Sequence, residues 1–395
     1  MEEKKKNINY SFKFLYAIGI ILIVAGHCKN GGISLFYEWF TPYAFHLALF
    51  TFASGYFYKD DSDKDMKSYI WKKFKKLIIP MYVWNIIYAI FIQIIRLKDF
   101  SIGGGFTMYN ILIAPLLNGH QFAFTMGLWY VVPLFVIEVL NVLFRKILKL
   151  KVKHINEYAV FIISLLLGMF GIYIAANGYN KDWYLFLDRI LYLIPFYFLG
   201  ILYNRQLEKY DKLSNIMYFS IIFIIQLITI TINGKTIKYT PSWCNNFTNN
   251  LISPYIIGAT GIFFWLRISK ILEPITCNSK VINYIANNTY SIMIHQFLGF
   301  FTVNTIFAVC SKFISTMNDF NWIKYKSDVW YLYIPKSLNQ WYIIYLIAGI
   351  SIPLLISYML NKIKKLLEIL IKKCRENKFI KYIKYWMIKN KIIRQ

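Results

Sequence analysis

Six ionisable side chains interrupt apolar stretches long enough to cross a membrane: His27, His46, Glu138, Asp188, Arg189 and His295. Each is costly in hydrocarbon unless it finds a partner or a watery cavity, so chemistry is to be sought there first. His27 falls in the outer third of a first apolar run, and His46 a turn or two below the outer end of a second. A tight antiparallel pair of helices places both imidazoles at similar depth, where they face one cavity or each hydrogen-bond a neighbouring helix. A histidine near neutral pKa takes the proton of a hydroxyl as that hydroxyl attacks an acyl thioester, which is what O-acyl transfer requires. Metal binding by His27, His46 and His295 is disfavoured, because i,i+4 spacing and clustered carboxylates are both missing. Asp188 and Arg189 are adjacent near an outer helix end, where mutual or interfacial pairing is expected. Two other classes compete. A transporter or flippase for lipid-linked sugars also buries polar groups in a helical bundle, but inverted repeats are not visible. A membrane polymerase of glycan units calls for large outer loops rich in Arg and acids, whereas the loops here are aromatic and amide-rich.

The elements that must hold these groups are transmembrane helices. Of the 395 residues 57% are apolar and only 16% are charged, too few to solvate a globular surface. Apolar runs of about 20 residues, enough to cross the hydrocarbon core, recur along the whole chain. They predict an all-α polytopic bundle of about ten spans, near 12–30, 40–58, 77–96, 126–144, 155–176, 186–203, 213–232, 250–266, 284–310 and 341–361. With the amino terminus cytoplasmic, the inner segments hold about 33 of the 45 Lys and Arg and the outer loops about 10, as the positive-inside rule requires. Both termini are then cytoplasmic, and the net charge of +26 reflects topology and an affinity for anionic lipid, not a nucleic-acid partner. Residues 1–361 are read as one transmembrane domain and 362–395 as a basic cytoplasmic tail. No small-residue cleavage site follows Cys28, so the first span is read as retained and not as a signal peptide. The five cysteines have no metal spacing; Cys28 and Cys244 share the outer side, where they pair or stay as two small apolar residues. The long outer segments 97–125, 233–249 and 311–340 are suited to cover or admit an acceptor. Within the first, 111–117 is apolar but too short to span, and either lies at the interface or re-enters.

Six stretches, taken in order, resemble one family. FLYAIGIILIVAGH (14–27) and FHLALFTFASGYFYK (45–59) are similar to the first two helices of the integral-membrane acyltransferase-3 family, in particular its stand-alone, fucose 4-O-acetylase-like branch. WKKFKKLIIPMYVW (71–84) resembles its basic stretch before a proline that opens the third helix, and GLWYVVPLF (127–135) its Leu-Trp-Phe-Leu segment. YLIPFYFLG (192–200) and NNTYSIMIHQF (287–297) are similar to later helices. Single pieces match by chance; six in the family's order, over about 10–360, do not.

The resemblance implies an O-acyltransferase that takes an acyl group, usually acetyl, from acyl-coenzyme A (CoA) supplied in the cytoplasm; no bound cofactor is expected. It makes His27 the central catalytic residue and His46 its companion, although Ala48 replaces the proline usual after that histidine. The family carries a basic residue eleven positions before the first histidine, where this chain has Tyr16. Lys13, one turn earlier and close to the same face, is the candidate to supply the missing charge. Lys72, Lys73, Lys75 and Lys76 make a positive field for the phosphates of CoA, or simply obey the positive-inside rule. Trp129 is placed against donor or acceptor or as an interfacial anchor, Glu138 orients a histidine or binds a neighbouring helix, and His295 belongs to the cavity wall. The expected acceptor is a hydroxyl of a surface or lipid-linked glycan, and the expected location the plasma membrane.

Overall fold

The computed structural model describes residues 8–28, 42–234, 239–245 and 250–376. The predicted connection 31–39 between the first two spans and the last nineteen residues of the basic tail lie outside them. The described protein is helical, with one isolated bridge between Thr240 and Asn245. In chain order the helices are α1 (Tyr10–His27), α2 (His46–Tyr56), α3 (Met66–Arg96), α4 (Ala114–Leu117), α5 (Val131–Lys151), α6 (Glu157–Ala176) and α7 (Asp182–Leu202). They continue with α8 (Asn215–Asn233), α9 (Ser253–Thr276), α10 (Lys280–Asn287), α11 (Thr289–Cys310), α12 (Trp322–Ser327) and α13 (Tyr342–Glu376).

Among the described residues nine helices are long and apolar enough to cross a membrane, so the chain is a polytopic helical bundle. The second predicted span is the exception. Its helix, α2, has 11 residues and rises only about 16 Å, roughly half the hydrocarbon thickness. It is instead a short central helix, antiparallel to α1 and packed against α7. Two glycines allow that crossing: a Cβ at Gly55 would lie 1.9 Å from the carbonyl oxygen of Tyr197, and one at Gly200 would lie 2.0 Å from that of Phe52. Helices in lipid associate through such close backbone approach.

Two further boundaries differ from the prediction, each for a local reason. The third helix starts at Met66, capped by Asp65 accepting from the Ser68 amide at 3.3 Å, so the lysine run is inside the helix and not before it. Its 31 residues rise roughly 46 Å, more than the bilayer core, and its first turns therefore project beyond the hydrocarbon. The predicted 284–310 helix breaks at Asn288 into α10 and α11.

The segment after α3 re-enters. A π-turn at Tyr109–Ile113 leads into α4, and its carbonyls are met from the middle of α3. Asn85 Nδ2 donates to the carbonyls of Asn110 (3.2 Å) and Ile111 (3.1 Å), and the Tyr82 hydroxyl donates to that of Leu112 (2.9 Å). Asn85 lies eleven residues from the end of α3, about 16 Å along the axis, so this irregular backbone sits at membrane depth with its polar groups satisfied by protein.

Candidate active site

Two cavities meet inside the bundle. One, of about 220 Å³, lies toward the lysine-rich end and is lined by Tyr16 and Ile20 of α1, Phe50 and Ser54 of α2, Lys73, Lys76 and Leu77 of α3, Glu138 of α5 and Tyr290 of α11, among others. The second, of about 90 Å³, lies toward the opposite end and is lined by His27, Tyr43, His46, His120, Trp129, Trp243, Gln296 and Trp330, among others. Ile23, Leu47 and Met293 line both. One stripe of α1, at Tyr16, Ile20, Ile23 and His27, therefore runs from the first cavity past the shared wall into the second, at the spacing of a single helix face.

The chemistry of the two cavities differs. The lysine-rich cavity is apolar along α1 and α2, with cations at its rim. Lys73 Nζ lies 2.5 Å from Glu138 Oε1, which also accepts from Ser54 Oγ at 2.5 Å. Glu138 is buried, and its second oxygen has no hydrogen-bond partner among the described residues. Lys76 is exposed and forms no ion pair among the described residues. The histidine-bearing cavity is walled by aromatic rings. Trp330 meets His27 edge-on at 5.5 Å between centroids, Phe297 lies 5.2 Å from His27, and Trp243 stacks on His120 at 4.4 Å.

A family model described as an acyltransferase domain, acyltransferase-3, matches residues 9–362. The chain belongs to the acyltransferase-3 family. No curated protein and no solved structure matches it. As a member of that family it is a membrane acyltransferase, and each expected site residue can be placed in it.

His27 and His46 come to one cavity, with Tyr43 between them at 6.1 and 5.2 Å. Their hydrogen bonds fix opposite tautomers. Gln296 Nε2 donates to the carbonyl of Met293 at 3.0 Å, which turns Gln296 Oε1 toward His27 Nδ1 at 2.8 Å. An amide oxygen only accepts, so Nδ1 of His27 carries the hydrogen and Nε2 the lone pair. In His46 the Leu47 amide donates to Nδ1 at 3.0 Å, so the hydrogen is on Nε2. This acyltransferase thus has one imidazole with a basic nitrogen and one with a donor. Gln296 thus holds the His27 ring in place. Gln296→Ala is expected to lower kcat about a hundredfold while leaving KM for the acyl donor unchanged, measured as steady-state transfer; a loss confined to KM would assign Gln296 to binding.

The other expected residues separate. Of the four lysines only Lys73 and Lys76 face the cavity, since i and i+3 share a helix face. Lys75 lies over the Trp71 ring at 5.0 Å, and Lys72 is exposed elsewhere. Tyr16 lines the lysine-rich cavity, but Lys13 is bound by Asn287 Oδ1 and does not line it. His295 is outside both cavities: its Nδ1 is 2.7 Å from the Tyr88 hydroxyl, and its ring meets Trp84 edge-on at 4.2 Å. Trp129 lines the histidine cavity with the Arg189 guanidinium 4.7 Å above its ring. Arg189 does not pair with Asp188. It donates to the carbonyls of Leu117 (3.1 Å) and Ser242 (3.0 Å from Nε), while both Asp188 carboxylate oxygens are buried without a partner among the described residues. Cys28 and Cys244 are both buried and free.

The sequence reading missed Gln296, His120, Trp243 and Trp330. His120 arrives on the re-entrant segment, Trp243 on the second outer loop and Trp330 on the third.

Proposed function

We propose that this acyltransferase moves an acyl group, acetyl in the first place, from acyl-CoA in the cytoplasm to a hydroxyl of a cell-surface or lipid-linked glycan, at the plasma membrane. The observation that carries the reading is the meeting of a lysine-rimmed cavity and an aromatic-walled cavity beside His27 and His46. In this scheme the phosphates of CoA lie at Lys76 and Lys73 and its arm passes Tyr16 and Ile20, which brings the thioester carbonyl to the shared wall. The glycan hydroxyl approaches from the aromatic side, where flat rings suit the apolar faces of a sugar.

His27 Nε2 takes the hydroxyl proton as the oxygen attacks the carbonyl carbon, and Gln296 holds the hydrogen on the far nitrogen. The charge that builds on the carbonyl oxygen is met by His46 Nε2–H. Collapse of the tetrahedral intermediate breaks the C–S bond, and the departing thiolate takes the proton back from His27. Ester and free CoA result.

Lys76 is the cleaner probe of donor binding, because removing Lys73 also strands Glu138. Lys76→Ala is expected to raise KM for acetyl-CoA about tenfold, the worth of one charge-assisted hydrogen bond, with little change in kcat. The reading as a whole is tested by incubating membranes that contain the full chain, and membranes without it, with labelled acetyl-CoA. Alkali-labile label in the glycan fraction that depends on the chain supports it; equal labelling in both, or none, contradicts it.

A further inference from the structure

Between the place where the donor must enter and the imidazole that must act on it stand three aliphatic side chains, Ile23, Leu47 and Met293, each lining both cavities. We propose that these three form the filter that sets the length of the acyl chain this enzyme transfers, with Met293 as its movable member. The inference rests on the donor reading above and adds to it which acyl groups pass.

The CoA sulfur lies on the lysine-rich side, and the carbonyl carbon must come within reach of His27, one helical turn beyond Ile23 on the same face of α1. Carbon atoms beyond the carbonyl then have only the shared wall to occupy, because the space past it, about 90 Å³, is where the hydroxyl must arrive. A methyl group fits beside the three side chains. Each added methylene must displace one of them or intrude on the acceptor.

The three are not equally free to give way. Ile23 is β-branched and fixed in its helix rotamer, whereas Met293 is unbranched with three rotatable bonds. Met293 is 8% exposed and backed by Gly127, where a Cβ would come within 2.7 Å of both its Cγ and its carbonyl oxygen. The bare backbone of Gly127 thus packs against Met293 and leaves its side chain little room toward the Ala123–Tyr130 segment. The Met293 carbonyl also accepts from Gln296, which holds His27, so the filter's movable member and the residue that holds the base belong to one turn of α11.

The experiment compares acetyl-, butyryl- and hexanoyl-CoA as donors for the wild-type chain, Met293→Ala and Ile23→Ala, each checked for wild-type elution in detergent. The wild type is expected to favour acetyl, and truncation to raise the hexanoyl-to-acetyl ratio of kcat/KM by about tenfold or more. An unchanged ratio in whichever variants fold, with an active wild type, overturns the filter alone. No transfer by the wild type from any of the three donors overturns the donor reading and the filter with it.

Discussion

Replacing His27 with alanine is expected to lower kcat for acyl transfer about a thousandfold, within the range that a positioned general base contributes. The size of the effect follows from the tautomer. His27 is the imidazole whose Nε2 is left basic by Gln296, and His46 presents a donor instead, so His46 is unable to substitute for it without first losing the hydrogen bond its Nδ1 accepts from the Leu47 amide. KM for acetyl-CoA should change little, because the groups assigned to the phosphates, Lys73 and Lys76, line the other cavity. His46→Ala should cost less, since it removes one stabilising donor and leaves the base in place. Steady-state kinetics on the two purified variants check both values. A His46→Ala loss exceeding that of His27→Ala would exchange their roles.

The second large effect is on stability. Glu157, 6% exposed, holds two arginines at the lysine-rich end of the bundle. Arg145 Nη1 and Nη2 donate to its two oxygens at 2.8 and 2.7 Å, Arg205 donates to it as well, and Arg145 Nε donates to Asn141 at 2.9 Å. The Tyr58 ring covers both guanidinium groups, 5.4 and 5.9 Å away. Glu157→Ala strands a fully buried Arg145 beside a second cation. Breaking a buried pair from one side costs about 3–5 kcal/mol, so the melting temperature in detergent should fall by several degrees or more. Arg205 is partly exposed and leaves the Arg145 bidentate pair intact, so Arg205→Ala should cost much less. Equal melting of Glu157→Ala and the wild type would show that the network adds nothing.

What could be read from the residues was the class of protein and the common depth at which two histidines line one cavity. An imidazole in an apolar run is costly enough to stand out, and a short antiparallel pair fixes its depth. Register was harder to read. The lysine run looked like a solvated approach to a helix, but with Asp65 as cap it lies inside one, and the helix then divides Lys73 and Lys76 from Lys72 and Lys75. Adjacent residues on a helix diverge by about 100°, which is why Asp188 and Arg189 point in different directions and not at each other. His295 stands out in the sequence as ionisable and Gln296 beside it does not, although burying an amide also requires a partner. Asn85 in the middle of a span was a comparable signal: its side chain meets carbonyls of the segment that carries His120 inward. Loop-borne residues such as Trp243 and Trp330 have no periodicity to give them away, and only the folded chain brings them to one cavity.

Donor and base are proposed to meet at the shared wall of the two cavities. The most direct measurement is an experimental structure of the full chain with a non-transferable thioether analogue of acetyl-CoA. Its phosphates are expected at Lys76 and Lys73 and its sulfur within about one helical turn, roughly 5 Å, of His27 Nε2. An analogue bound with its sulfur on the far side of the bundle, or with no path from the lysine-rich end to His27, would contradict it.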